Sequence, residues 1–220
     1  MKTTLIIPTL NEIDGVRACM PQINRNWCNE VIVVDGGSND GTVEWLRENG
    51  WRVIIQDKRG LGNAYRQAHA ATTGDVIITF SPDGNSLAER IPALIKEMEK
   101  GYDMVIVSRY LGDARSDDDD ALTSWGNPLF TFLINICFGG RYTDSLVIFR
   151  AYKRDLLTRL NIDAEHLTYE AQISMRAAKQ KLKIGEISGH EPKRIGGVRK
   201  MSPFGTGFAI LREIGRNLVS

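Results

Sequence analysis

Short apolar runs recur along the chain, and the residues between them follow a different period. Thr4–Ile7, Val31–Val34, Val53–Ile55, Val76–Phe80 and Met104–Val107 are β-branched or apolar and are flanked by polar or turn residues. Runs this short, without alternation, predict strands buried on both faces of a parallel sheet. Between them, Glu12–Ile23, Thr42–Asn49, Gly62–Thr72 and Leu87–Lys100 predict helices. In the last, Leu87, Ile91, Leu94, Ile95 and Met98 recur close to a helical period and form one apolar face. Strand–helix–strand repetition predicts an α/β fold with a mostly parallel central sheet flanked by helices.

Beyond residue 108 the pattern changes. A polar, acidic stretch over 112–120 leads into a hydrophobic helix, Leu122–Phe138, closed by Gly139-Gly140. A strand around Ser145–Arg150, a helix over Tyr169–Gln180 and a strand at Lys183–Ile187 follow. A Gly/Lys/Arg loop over 189–202 then precedes an amphipathic helix, Phe204–Leu218. The chain reads as one domain over 1–220, with a nucleotide-binding half over 1–110 and an acceptor-facing half over 111–220. Leu122–Phe138 has two readings: core packing, or a partly exposed face that receives a lipid tail or a membrane surface. Its most apolar stretch, Leu129–Phe138, has about half the length that crosses a bilayer.

Composition narrows the class. With 42% hydrophobic and 25% charged residues in 220, the chain is neither disordered, nor collagen-like, nor a basic nucleic-acid binder. The net charge of +1 conceals an asymmetry, because residues 176–220 hold ten basic side chains against three acidic ones. A basic segment on an acidic body suggests an anionic ligand or a membrane surface, with solvated helix faces as the plainer alternative. Three scattered cysteines suit neither a disulfide framework nor a zinc site, so a reducing cytoplasm is expected. No leader precedes the first apolar run, which places the protein in the cytoplasm or at the membrane periphery.

Polar clusters follow the predicted strand ends at Pro8–Glu12, Asp35–Thr42, Ser81–Asn85 and Ser108–Tyr110. In an open parallel sheet these ends share one edge, where ligands bind. A P-loop lysine motif and a GxGxxG turn are both missing, which disfavours ATPases and simple dinucleotide enzymes.

Ile6-Ile7-Pro8-Thr9-Leu10-Asn11-Glu12, followed by Val31–Val34 and Asp35-Gly36-Gly37-Ser38-Asn39-Asp40-Gly41-Thr42, resembles the opening of family-2 glycosyltransferases of the GT-A fold. The resemblance runs on through Arg59–Ala64, Gly74-Asp75, Ser108-Arg109-Tyr110, Asp144…Phe149-Arg150, Glu186 and Arg194–Lys200. It is nearest to the polyprenyl-phosphate (dolichol-phosphate) mannosyltransferase-like group, whose catalytic domains end in R-x-x-G-x-S-K. Here Arg194, Gly197 and Lys200 match that motif and Arg199 stands in the serine place. The resemblance implies that Asp35 contacts the base or ribose of a nucleoside-diphosphate sugar, UDP- or GDP-linked. Pro8, Glu12 and Asp40 would belong to the same pocket. It also implies a D-x-D-x-Q metal motif, of which Asp83 is the second aspartate. Ser81 replaces the first aspartate and Asn85 the glutamine.

Mg²⁺ or Mn²⁺ bridging a diphosphate needs only one or two protein oxygens, which Asp83 and Asn85 can supply. Arg194, Arg199 and Lys200 would neutralise the leaving diphosphate. The expected reaction is inverting hexosyl transfer, with a polyprenyl phosphate as the leading acceptor and a saccharide or small-molecule hydroxyl as the alternative. A hydroxyl acceptor needs a base, for which Asp144 is the candidate, although an aspartate beside Thr143 could equally cap a turn. Arg109 and Arg150 would position phosphates or form ion pairs at the sheet edge. A non-catalytic nucleotide-binding module is the competing class, and Ser81 is its best argument.

Overall fold

The computed structural model describes residues 1–196 and 202–219. Its first half alternates strand and helix: β1 (Thr3–Thr9), α1 (Ile13–Cys19), β2 (Glu30–Asp35), α2 (Thr42–Glu48), β3 (Val53–Ile55), α3 (Leu61–Ala71), β4 (Val76–Thr79), α4 (Ile91–Met98) and β5 (Met104–Ser108). The second half holds α5 (Ala121–Phe138), β6 (Arg150–Lys153), α6 (Leu156–Arg159), α7 (Tyr169–Lys179), β7 (Ile184–Ser188) and α8 (Pro203–Val219). Strands from both halves form a single seven-stranded sheet in the order β3-β2-β1-β4-β6-β5-β7. Every pair is parallel except those of β6, which runs antiparallel between β4 and β5. The apolar runs of β4 and β5 are buried throughout, as strands covered on both faces should be.

Register aligns the chemistry. Thr9 pairs with Asp35 at the carboxyl ends of β1 and β2, and Thr79 pairs with Ile6. The loops after β1, β2 and β4 therefore leave the sheet side by side. Sheet order runs one way from β1 through β2 to β3 and the other way to β4, so a crevice opens at that reversal.

Some boundaries differ from the sequence expectation, and the helix expected over Leu87–Lys100 is α-helical only over Ile91–Met98. The first helix is α-helical only to Cys19, after which Pro21 helps turn Met20–Gln22 into a 3₁₀ turn. The strand expected around Ser145–Arg150 lies instead at Arg150–Lys153. Residues 144–149 are drawn off the ladder by side chains: Asp144 is held by Arg109, and Ser145 N–H donates to Thr131 Oγ1 at 3.1 Å.

Helix α5 begins on Asp120, whose carboxylate accepts from Thr123 N–H, and ends at Gly139 in the left-handed region. It packs against α7 and α8. Helix α8 buries Ile210, Ile214 and Asn217 and exposes Phe204, Phe208, Leu211 and Leu218 on a neighbouring face. Among the described residues no helix is long and apolar enough to cross a membrane.

Candidate functional site

At the carboxyl ends of β1 and β2, Asp35 braces the turn that follows β2. Its carboxylate accepts from Thr9 Oγ1 (2.8 Å), Gly37 N–H (2.8 Å), Ser38 N–H (2.7 Å) and Ser38 Oγ (2.6 Å), and the residue is fully buried. Its oxygens are spent holding the turn after β2. Asp40 likewise accepts from Ile13 N–H and from the N–H and hydroxyl of Thr42, which ties the start of α1 to the start of α2. Neither lines the cleft; Pro8, Thr9, Leu10, Gly36, Gln56 and Arg59 do. Gln56 brings a buried Oε1 with no hydrogen-bond partner.

The loop after β4 comes next to it. Helix α1 packs so closely that a Cβ on Gly15 would stand 2.3 Å from the Pro82 carbonyl oxygen. Asp83 is 6% exposed, and Asn85 N–H donates to its Oδ1 at 3.1 Å. Arg194 Nη2 lies 2.8 Å from Asp83 Oδ2, and its Nη1 lies 3.6 Å from Glu12 Oε1. The backbone follows: Ile195 N–H donates to the Asp83 carbonyl at 2.7 Å. Asp118 bridges the two loops, accepting from Asn85 Nδ2 at 3.0 Å and from Arg194 N–H at 3.2 Å. Arg199 and Lys200, the other expected phosphate cations, lie outside the described residues.

No described group of three or more His, Cys, Asp and Glu residues could hold a metal ion. The oxygens present nevertheless suit a hard divalent cation that takes most of its shell from a diphosphate and water. Asp83 supplies one carboxylate, and Asn85 Oδ1 is a buried oxygen without a hydrogen-bond partner in the same loop.

The far side of the cleft corrects two expectations. Asp144 is fully buried and bound by Arg109 through Nε (2.6 Å), Nη2 (2.9 Å) and the backbone N–H (3.2 Å). Both of its oxygens are taken and no water reaches it, so it orients Arg109 and is not placed to accept an acceptor proton. Arg150 is 1% exposed and does not line the cleft. Its Nε donates to Val147 O at 2.9 Å and its Nη1 to Ser174 Oγ at 3.3 Å, so its donors are spent holding the 144–149 segment against α7. Arg109 does line the cleft, its Nη1 3.4 Å from Glu191.

Glu170 and Glu191 also line the cleft, and sequence reasoning missed both. Burial pushes Glu170 up to about 7, with Arg150 pulling the other way. Burial also raises Glu191 above the usual carboxylate range, partly offset by Arg109. Glu191 lies just past β7, and that place at a strand's carboxyl end is the one signal that could have flagged it.

These groups share a cleft of about 990 Å³. One end is polar, with Glu12, Asp83, Asn85, Arg109 and Arg194. The other lies between α5 and α8 and is apolar, with Leu122, Trp125, Leu129, Phe204, Phe208 and Leu211.

Known proteins resemble the chain in both sequence and shape. The family model "Glycosyl transferase family 2" matches residues 4–160. A dolichyl-phosphate hexose transferase of Haloferax volcanii is 30% identical over 212 residues, covering 96% of this chain and 91% of that protein. An undecaprenyl-phosphate 4-deoxy-4-formamido-L-arabinose transferase of Pseudomonas fluorescens is 27% identical over 181 residues, covering 76% of this chain and 51% of the relative. A low-salt glycan biosynthesis hexosyltransferase, also of Haloferax volcanii, is 30% identical over 190 residues; 83% of this chain spans only 46% of it. In shape the chain matches glucosyl-3-phosphoglycerate synthase of Mycobacterium tuberculosis, solved with Mn²⁺, UDP and phosphoglyceric acid. The TM-score is 0.79 at 21% identity, over 99% of this chain and 78% of that one, a likeness of fold. With the family model spanning most of its length and the seven-stranded GT-A sheet beneath the cleft, the chain belongs to glycosyl transferase family 2.

Proposed function

We propose that the protein is an inverting hexosyltransferase. It moves the sugar of a UDP- or GDP-linked donor onto a polyprenyl phosphate at the cytoplasmic face of a membrane. The observation that carries this reading is the two-ended cleft: cations and carboxylates at one end, and an aromatic, aliphatic channel between α5 and α8 at the other. An amphiphile with an anionic head and an isoprenoid tail matches both ends. Dolichyl- and undecaprenyl-phosphate enzymes among the relatives support it, and the three unpaired cysteines suit a reducing compartment.

The chemistry follows from what the side chains can hold. An acceptor phosphate oxygen attacks the anomeric carbon from the face opposite the leaving group. As the new C–O bond forms, the bond to the diphosphate breaks and nucleoside diphosphate departs with that electron pair. A phosphate monoester is already largely ionised near neutral pH (second pKa about 6), so no proton must be removed. That suits a site whose expected base, Asp144, is locked to Arg109. Arg109 offers the acceptor phosphate a cation held in place from behind. Arg194, with Arg199 and Lys200 in the same segment, would offset charge growing on the diphosphate. Asp83 and Asn85 would hold Mg²⁺ or Mn²⁺, which when bound neutralises the diphosphate as a Lewis acid.

The test is a donor panel (UDP- and GDP-hexoses) with Mg²⁺ or Mn²⁺, incubated with a polyprenyl phosphate or with free saccharides. Glycosyl-phosphate lipid, formed with inverted anomeric configuration, is the expected product. Transfer to saccharide hydroxyls alone would overturn the lipid assignment and turn attention to Glu191 as the base.

A further inference from the structure

We propose that Arg194 and the divalent cation are alternative counter-ions of Asp83, so that metal enters this site only together with the nucleoside diphosphate. The inference rests on the reading of the cleft as a metal–nucleotide site and specifies how that site is loaded.

Three observations carry it. First, Arg194 Nη2 is 2.8 Å from Asp83 Oδ2, while Oδ1 accepts Asn85 N–H at 3.1 Å. A cation coordinated by either oxygen of this carboxylate would stand beside the guanidinium, and two positive groups that close repel strongly unless another anion lies between them. Second, Asp83 is the one acidic residue of Ser81–Asn85. One guanidinium can therefore neutralise what Ser81–Asn85 presents. Third, the pair is embedded in a backbone clasp. Ile195 N–H donates to the Asp83 carbonyl at 2.7 Å, and Asp118 ties Asn85 to the Arg194 backbone. The contact at Gly84 (φ +92°) is so close that a Cβ there would meet Ile195 Cγ1 at 2.6 Å.

Displacing Arg194 from Asp83 thus frees a guanidinium whose backbone stays clasped to the loop. A bare divalent cation supplies no new partner for the freed guanidinium. A diphosphate does, so the metal gains Asp83 in the same event that gives Arg194 phosphate oxygens. Coupling of this kind is reciprocal: nucleotide must raise metal affinity by the factor by which metal raises nucleotide affinity.

The experiment is Mn²⁺ titration of the full chain, with free Mn²⁺ read by electron paramagnetic resonance, in the absence and presence of UDP or GDP. Wild type should bind Mn²⁺ alone weakly and bind it much more tightly with the matching nucleotide. Arg194→Gln should bind Mn²⁺ alone about tenfold tighter than wild type, with a smaller enhancement by nucleotide. Arg194→Lys, which keeps the charge, should stay near wild type. Adding Asp83→Asn to Arg194→Gln should abolish the gain. If Arg194→Gln does not melt cooperatively, Arg194→Ala carries the same comparison. Equal Mn²⁺ affinity in wild type and the neutral variants, with Mn²⁺–nucleotide still bound, would overturn the exchange alone. A gain that survives Asp83→Asn would overturn it too, since the metal would then sit elsewhere. Failure of every variant to bind Mn²⁺ with either nucleotide would overturn the exchange and the reading of the cleft together.

Discussion

Enclosing a carboxylate is costly unless a cation or hydrogen-bond donors offset the lost water, and Asp83, 6% exposed, has both in Arg194 and the Asn85 N–H. Asp83→Asn keeps the shape and removes the charge. Metal-dependent transfer should fall at least about 100-fold with little change in melting temperature, measured by turnover beside a thermal melt. Arg150 should behave in the opposite way. Its donors satisfy carbonyls inside the fold, so Arg150→Met should cost on the order of 3 kcal/mol of stability. Chemical denaturation reads that loss, while Mn²⁺–nucleotide affinity of the folded fraction should be unchanged. Glu170 contributes a pH dependence. Its folded-state value of about 7 lies above the ordinary 4.5, so between those values the folded chain holds a proton that the unfolded chain has released. Stability therefore falls as pH rises through that window, and none of the loss is felt below it. Wild type should melt higher at pH 5 than at pH 8, and Glu170→Gln should flatten the profile.

At the scale of elements, α1 reaches the loop after β4 because residue 15 has no side chain. Gly15→Ala would drive a Cβ into the Pro82 carbonyl at 2.3 Å, a backbone atom that cannot swing aside. The expected cost is about 2–3 kcal/mol, and Asp83 would shift with the loop. A lowered denaturation midpoint together with weakened Mn²⁺–nucleotide binding would show both effects. The same elements explain what could be read before any coordinates. Strands such as Met104–Ser108 announce themselves because burial on both faces demands uninterrupted apolar residues. Strand β6 does not, since Arg150-Ala-Tyr-Lys153 is half polar and is set in place by partners more than forty residues away. Site residues followed the same division. The spacing of Asp35, Asp83 and Arg109 at strand ends brought them to one edge, but spacing does not say which way a carboxylate faces. Asp35, Asp40 and Asp144 turned out to hold turns and an arginine. Glu170 and Gln56 belong to no local pattern and reach the cleft only through the packing of the chain.

For the whole molecule, part of the basic C-terminal segment is engaged inside the fold. Arg176 and Arg216 hold Asp163, Lys183 lies over the Tyr102 ring, and Arg194 holds Asp83. Lys181, Lys193 and Arg212 stay exposed, and beside them lies an exposed apolar surface. Phe132 and Ile136 of α5 are 58% and 66% exposed, and Phe204, Phe208 and Leu218 of α8 are 81%, 73% and 52% exposed. Part of this surface, Phe204 and Phe208, enters the cleft; Phe132, Ile136 and Leu218 do not. Those three thus separate two contributions to lipid use. If the tail is gripped only inside the cleft, polar residues at 132 and 136 should change nothing. If the two helices also rest on the bilayer, Phe132→Ser with Ile136→Ser should weaken sedimentation with vesicles roughly tenfold, because each large apolar side chain buried is worth about 1.5–3 kcal/mol and only part of that is recovered at an interface. Transfer to a polyprenyl phosphate embedded in those vesicles should fall in parallel, through KM more than kcat. Transfer to a short, water-soluble prenyl phosphate should not change, since that acceptor reaches Arg109 and the α5–α8 channel without any bilayer. Equal loss on both acceptors would instead mean that the substitutions disturb α5 itself, and with it the channel.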